Sequence, residues 1–215
     1  DPSDMKIIDT VTVDARTVND VKISENGKVG VITREGASNR KNGFVILDVS
    51  DPYDVKITAA YNDDMTGGVH NAFIYENHVY AVNNGRKYDI INIDDPYNVK
   101  ITAAYNDDMT GGVHNVYIYE NHVYAVNNGR KYDIINIDDP SNPFRVGTYE
   151  LSTPGHGVHD VWVIDGLAYS SNWADGVHVV DVGGVKFNEK NRSKIKYNPF
   201  LAMAGQGSPG NPVKL

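Results

Sequence analysis

Short segments in which apolar and polar residues alternate make up most of the chain. A period of two is typical of strands that bury one face, and no segment sustains the spacing of an amphipathic helix. β-Branched and aromatic residues dominate these segments, whereas Asn, Gly and Asp-Pro pairs separate them. In the clearest stretch we predict strands at 69–75, 79–84, 87–93 and 99–105, with a tight turn at 76–78. The pattern therefore predicts an all-β protein with little helix.

An internal repeat groups these strands into units of 44 residues. Residues 51–94 recur as 95–138 with 41 of 44 positions identical, and weaker copies lie at 18–52 and 158–184. The three changes are Asp54 to Asn98, Ala72 to Val116 and Phe73 to Tyr117. Four antiparallel strands in a tandem unit of this length are typical of a β-propeller blade, which stacks on neighbouring blades to bury both faces. A stacked β-solenoid is the alternative, but its coils are usually shorter.

We therefore predict a single β-propeller domain, or a segment of one, over residues 1–215, built from four-stranded antiparallel blades. The four approximate blades are 18–65, 69–109, 113–151 and 158–184. Either a strand at 1–15, which matches 51–64, completes the last blade and closes a four-bladed ring, or the chain is part of a wider propeller. We favour the wider propeller, because four blades are the lower limit of the usual range and 213–215 resembles the start of another strand.

Residues 185–211 form a long insertion between the third and fourth strands of the last blade. Loops of this length are often functional. Five of the chain's 20 basic residues fall in this insertion: Lys186, Lys190, Arg192, Lys194 and Lys196. We interpret the segment as a ligand lid, a docking site for an acidic partner or a solvated loop. The sequence at 191–193 also fits a glycosylation acceptor.

Composition narrows the classes of function by exclusion. With 20 Lys and Arg against 28 Asp and Glu, the formal charge of −8 argues against a nucleic-acid binder. No run of 18 apolar residues is present, so we expect no membrane span. No signal segment follows Asp1, so we expect that any export signal has been removed. The absence of cysteine excludes disulfides, thiolate catalysis and cysteine-bound zinc.

The third strands carry a family resemblance. They read GFVILDVSDP at 43–52, KYDIINIDDP at 87–96 and 131–140, and GVHVVDVGG at 176–184. With GLAYSSNW at 166–173 and NPFRVGTY at 142–149, the chain resembles the LVIVD-repeat family of bacterial and archaeal propellers. The resemblance implies a propeller at the cell surface, outside the cell or in the periplasm, and implies no general catalytic activity. Asn92 and Asn136 stand where the family has Asp, and Asn can serve equally well as a turn cap.

The first strand of every unit opens with a polar residue at one repeated position, which we call the histidine register. Matching side chains in successive blades should approach the propeller axis at the same height. The histidines of this register are His70, His114 and His159, with Asn19 in the fourth place. The residues that follow them are Asp20, Asn71, Asn115 and Asp160. Three imidazoles near one axis suit Zn²⁺, Cu²⁺ or Fe²⁺, so this register is a candidate metal and binding site, which His156 can join. The alternative, which we favour, is that these pairs bond the backbone and recur because the unit was copied.

Other residues are weaker candidates. Paired acidic residues precede the same register at 63–64 and 107–108, and such oxygen-rich loops suit Ca²⁺. His78 and His122 fall in predicted hairpin turns and are expected in solvent, whereas His178 is expected as a hydrogen-bonded strand residue. An aromatic set is interpreted as packing between blades, with a sugar-stacking platform as the alternative. This set comprises Tyr80, Tyr124, Trp162, Tyr169 and Trp173.

No nucleophile elbow, phosphate-binding loop, dinucleotide fingerprint or HExxH motif occurs in the sequence. We therefore favour a non-enzymatic, exported propeller that binds a protein or a surface glycan through its loops. Copying a blade extends such a scaffold harmlessly, whereas it would widen a tuned catalytic pocket. A metal-dependent enzyme with its metal at the histidine register is the first alternative. A structural subunit of a filament or large extracellular assembly is the second.

Overall fold

The structure, a computed structural model, describes residues 2–63, 65, 67–83, 87–106, 112–127 and 129–182. These residues form fifteen strands and one short 3-10 helix, so the prediction of an all-β fold with little helix is confirmed. The strands make four sheets, and within each sheet every strand pairs antiparallel with the next one along the chain. No helix in this part of the chain is long and apolar enough to cross a membrane.

The four sheets follow the four predicted blades. The first contains β1 (Val21–Ile23), β2 (Val29–Arg34), β3 (Gly43–Asp48) and β4 (Lys56–Tyr61). The second contains β5 (Val69–Tyr75), β6 (His78–Asn83), β7 (Lys87–Asn92) and β8 (Lys100–Tyr105). The third contains β9 (Val113–Tyr119), β10 (His122–Asn127), β11 (Lys131–Asn136) and β12 (Phe144–Glu150). The fourth contains β13 (Asp160–Ile164), β14 (Leu167–Ser171) and β15 (Val177–Asp181), with the 3-10 helix Trp173–Asp175 between the last two. Strands β5 to β8 therefore lie within one residue of their predicted ranges.

The chain divides into two compact units, Asp1–Tyr105 and Asn106–Leu215. The first unit holds the first two sheets, and the second unit holds the other two. Within each unit the first strands of successive sheets are neighbours, because β5 contacts β1 and β13 contacts β9. That residues 1–215 form a single domain, either as a closed ring or as part of a wider propeller, stays a prediction.

Each unit buries an apolar layer between its two sheets. In the first unit, Phe44 of β3 and Val79 of β6 belong to one cluster and are fully buried. In the second unit, Tyr132 of β11 shares a cluster with Val163 of β13 and Ala168 of β14. Alternation with a period of two brings these residues to one face of each strand, and removing that face from water holds neighbouring sheets together.

A side-chain cap ends the third strand of each of the first three sheets. The capping oxygen accepts a hydrogen bond at 3.0 Å from the backbone amide two residues further on, and it belongs to Asp48, Asn92 and Asn136. The amide oxygen of Asn thus takes the place of the carboxylate oxygen of Asp. The two copied blades therefore preserve the turn although Asn replaces the Asp of the first blade.

The N-terminal segment packs against the first sheet of its own unit. Val11 and Val13 lie against the buried cluster of Ile32, Val45 and Leu47. No strand is present between residues 2 and 15, so the strand predicted at 1–15 is not formed. Its valines are half-buried by side-chain packing instead of by a strand ladder. The predicted pairing of this segment with the last blade stays a prediction, and residues 185–211 and 213–215 lie outside the described residues.

Candidate functional site

Side chains that follow the histidine register tie neighbouring first strands together. In the first unit, Asp20 Oδ2 accepts from Asn71 Nδ2 at 2.8 Å and from the Ala72 backbone amide at 3.0 Å. In the second unit, Asn115 Nδ2 donates to Asp160 Oδ1. Residues at matching positions of the repeat therefore meet across adjacent strands. Their bonds show a structural role, and ligand binding by these residues stays a prediction.

The histidine register brings together two imidazoles in the second unit. His114 Nε2 lies 3.2 Å from His159 Nε2, and the two ring centroids are 4.7 Å apart. Trp173 meets the His159 ring edge to face at 4.9 Å. In the first unit, His70 Nδ1 instead lies 3.3 Å from Glu35 Oε1. Asn19, in the fourth place, is exposed.

Metal binding at this register stays a prediction. Among the residues that the structure describes, no group of three or more His, Asp or Glu side chains is placed to hold one ion. The acidic pairs at 63–64 and 107–108 lie largely outside the described residues, since only Asp63 of the four is described. The described residues therefore offer the His114 and His159 pair as the best candidate for metal ligation.

His156 contacts a carboxylate that the sequence did not single out. His156 Nδ1 lies 2.8 Å from Asp175 Oδ1, and the Asp175 side chain is buried at the end of the 3-10 helix. In the sequence this helix stands where the copied blades have Asn-Gly at 84–85 and 128–129, so Asp175 has no counterpart in the repeat. The predicted place of His156 in the histidine register stays a prediction.

A buried histidine, His178, joins the third and fourth sheets. The Tyr149 hydroxyl lies 2.5 Å from His178 Nδ1, which confirms that His178 is a hydrogen-bonded strand residue. Its Nε2 has no hydrogen-bond partner among the described residues. Burial lowers the pKa of His178 from its ordinary value, and the nearby charge of Asp175 opposes this shift. Burial also raises the pKa of Tyr149, and the nearby charge of Asp175 raises it further.

The prediction that His78 is solvated is wrong. His78 is buried as the first residue of β6, where it pairs with Asn92. The reason is that the turn takes only two residues, Glu76 and Asn77, so His78 joins the strand. Burial lowers its pKa, and the charges of Asp94 and Glu76 oppose the shift.

The lowered pKa of His178 predicts a pH dependence of stability. Below the ordinary value of 6.5 the unfolded chain binds a proton that the folded chain resists, so the free energy of unfolding should fall as pH drops through this value. His178→Gln keeps a polar partner for Tyr149 but removes the titrating ring. Its free energy of unfolding should therefore vary less with pH between about 5 and 7, as measured by urea unfolding. Tyr149→Phe retains the buried ring and should keep the wild-type slope, whereas equal slopes for all three proteins would contradict the prediction.

The aromatic set divides into buried members, the half-buried Tyr169 and exposed members. Tyr80 and Tyr124 are 2% and 1% exposed, so packing in the core is confirmed for them. Trp162 and Trp173 are 60% and 71% exposed, so core packing is wrong for the tryptophans, although the Trp162 ring contacts Tyr117 of the neighbouring sheet. Trp162 lies on a first strand and Trp173 in the 3-10 helix, and neither shares the second-strand position of the tyrosines.

Comparison with solved structures identifies the architecture. BamB from Moraxella catarrhalis aligns with a TM-score of 0.58 and 14% identity over 77% of this chain and 47% of its own. The periplasmic gluconolactonase PpgL of Pseudomonas aeruginosa aligns with a TM-score of 0.64 and 10% identity over 80% and 55%. The β-propeller domain of Cps50 (Swd1) from Myceliophteria thermophila aligns with a TM-score of 0.60 and 8% identity over 77% and 57%.

These comparisons establish the fold alone. The chain spans about half the length of the three solved structures, and its identity to each is low. No protein-family model and no curated protein matches it. The four blade-like sheets and the structural likeness together show a β-propeller fold, which confirms the prediction made from the repeat.

Proposed function

We propose that the protein is a non-enzymatic binding module that holds a protein segment or a surface glycan on an aromatic strip of its second unit. This aromatic strip comprises His114, Tyr117, His159, Trp162 and Trp173. The resemblance to LVIVD-repeat propellers supports a location at the cell surface, outside the cell or in the periplasm. One of the solved structures that it resembles is likewise described as periplasmic.

The observation that carries this proposal is the exposure of Trp162. Its side chain is 60% exposed in the middle of β13, where the backbone ladder with β14 holds it in place. The ring packs against Tyr117 of β9 with centroids 4.7 Å apart. Covering the remaining surface is worth on the order of 2 kcal/mol, and Trp and Tyr are the residues that most often dominate binding energy.

The surroundings of Trp162 are both polar and apolar. Asp160 and Asn115, which bond each other, precede Trp162 and Tyr117 by two positions and so share their face of the strands. Ile164 follows by two positions and is 51% exposed. Ring faces beside amide and carboxylate groups suit the apolar and hydroxyl faces of a sugar, and they equally suit a peptide.

Intrinsic fluorescence can report on this surface directly, because Trp162 and Trp173 are the only tryptophans of the chain. A displayed dodecapeptide library and an array of bacterial surface glycans would supply binders of the two classes. We expect a selected binder to shift the tryptophan emission to shorter wavelength as it covers the strip. Trp162→Ala should weaken its affinity by about tenfold or more, as measured by isothermal titration calorimetry.

Tyr97→Ala is the matched control, since Tyr97 is an aromatic residue of the first unit that is 70% exposed. It should leave the affinity unchanged. The proposal fails if neither library yields a binder, or if every selected binder tolerates Trp162→Ala.

A further inference from the structure

Hydrogen bonds of β9 and of the residues beside β13 hold the backbones of the two histidines of the aromatic strip. His114 is the second residue of β9, and the His159 backbone amide donates to the Ser171 carbonyl at 2.8 Å, just before β13. The bond between Asn115 and Asp160, the next residues on each strand, fixes the spacing of the two backbones. These bonds limit how far the two backbones can move when a third group binds both rings.

The distance between the ring nitrogens is that of two ligands of one metal ion. Two nitrogens that each lie about 2.0–2.1 Å from one metal ion are about 3.3–3.4 Å apart in a tetrahedral site. In an octahedral site, neighbouring nitrogens are about 2.9 Å apart. The Nε2 atoms of His114 and His159 lie 3.2 Å apart, between these values. Their ring centroids are 4.7 Å apart, which is too close for rings that point head-on at each other. The rings meet at an angle, and an ion can contact both nitrogens from beside the line that joins them.

We propose that His114 and His159 form a binding site for a divalent transition metal, with water completing the coordination shell. Neutral imidazole suits Cu²⁺, Ni²⁺ and Zn²⁺, and among these Cu²⁺ should bind most tightly. Ca²⁺ prefers oxygen ligands and should not bind there. This site does not depend on the proposed binding of a protein or glycan, because its ligands are present without either.

Copper binding has a specific optical readout in this protein. Trp173 lies 4.9 Å from the His159 ring, so a Cu²⁺ ion on His159 should quench its fluorescence. In a Trp162→Phe background, Trp173 is the only tryptophan left. We expect CuSO₄ to quench this emission at one equivalent per chain, EDTA to restore it, and ZnCl₂ to compete. Electron paramagnetic resonance of the copper should show two imidazole nitrogens.

Single substitutions test which residues bind the ion. His114→Ala and His159→Ala should each lower copper affinity about tenfold or more and reduce the nitrogen pattern from two to one. His70→Ala is the matched control, because His70 occupies the same position as His114 in the copied blade but lies beside Glu35. His122→Ala controls for a surface imidazole. Circular dichroism confirms that each variant is folded.

Three outcomes would overturn the proposal. The first is the absence of stoichiometric quenching in the Trp162→Phe protein. The second is copper binding that survives both His114→Ala and His159→Ala, which would show an adventitious ion only. The third is an equal loss of affinity in His70→Ala, which would show that the two-histidine site is wrong. Failure of the peptide and glycan screens would leave all three measurements unaffected, so the two proposals are tested separately.

Discussion

Gly43→Ala is expected to lower the free energy of unfolding by about 3 kcal/mol, as measured by urea unfolding followed by circular dichroism. Gly43 begins β3 with φ of 106°, a conformation that side chains disfavour. A Cβ at this position would lie 2.1 Å from the Tyr61 carbonyl oxygen and 3.0 Å from the Asn62 Cα. Both atoms belong to the backbone at the end of β4, so the strand pair itself would have to move apart.

Gly27→Ala separates the backbone effect from the steric one. Gly27 also has a positive φ, 71°, but a Cβ there would meet nothing within 4 Å. Its substitution should cost only about 1 kcal/mol, from the disfavoured backbone conformation. Gly43 and Lys87 occupy equivalent positions in their sheets, because Gly43 pairs with Arg34 and Lys87 pairs with Asn83. An alignment of the repeats would therefore suggest that lysine is acceptable at position 43. Equal costs for the two alanine variants would show that the close approach to Tyr61 is wrong.

The sequence was sufficient to predict the blades because their determinants are local. Three short-range signals predict the strands: the alternation of apolar and polar residues in β5 to β8, the Asn-Gly pair after β6 and the Asp-Pro pair after β7. Each signal acts within a few residues, and both copies of the unit contain all three. The strand predicted at 1–15 rested on likeness to 51–64 alone. Strand formation there needs a partner strand, which local sequence does not specify. Val11 and Val13 are half-buried by side-chain packing instead.

The candidate site was predictable only where the repeat register determines it. Matching positions on neighbouring first strands do meet, as His114 with His159 and Asn115 with Asp160. Partners that come from other elements carried no such signal. Asp175 lies in a 3-10 helix whose sequence has no counterpart in the copied blades. The bond of Tyr149 to His178 joins the fourth strand of one sheet to the third strand of the next.

The two copied blades each bury one aspartate, Asp89 or Asp133, but surround its charge with different polar groups. Lys87→Met should reveal this difference as a loss of stability. Asp89 is fully buried, with Lys87 Nζ 3.1 Å from its Oδ1 and Asn83 Nδ2 donating to its Oδ2 at 3.2 Å. Methionine keeps the length of the side chain but removes the charge, which leaves the Asn83 amide as the remaining side-chain partner of the carboxylate among the described residues. Because a quarter of the Lys87 side chain is exposed, we expect a loss at the low end for broken buried pairs, about 3 kcal/mol in urea unfolding.

Lys131→Met makes the same change in the copied blade and should cost less, about 1 kcal/mol. Asp133 is equally buried, but besides Lys131 at 3.7 Å it has the Arg145 guanidinium at 3.8 Å and a hydrogen bond from the Thr148 hydroxyl at 2.6 Å. Adding Asp89→Asn to Lys87→Met should recover much of the lost stability, because the uncompensated charge is then gone. Equal losses in the two lysine variants, or no recovery in the double variant, would show that the buried charge does not determine the cost.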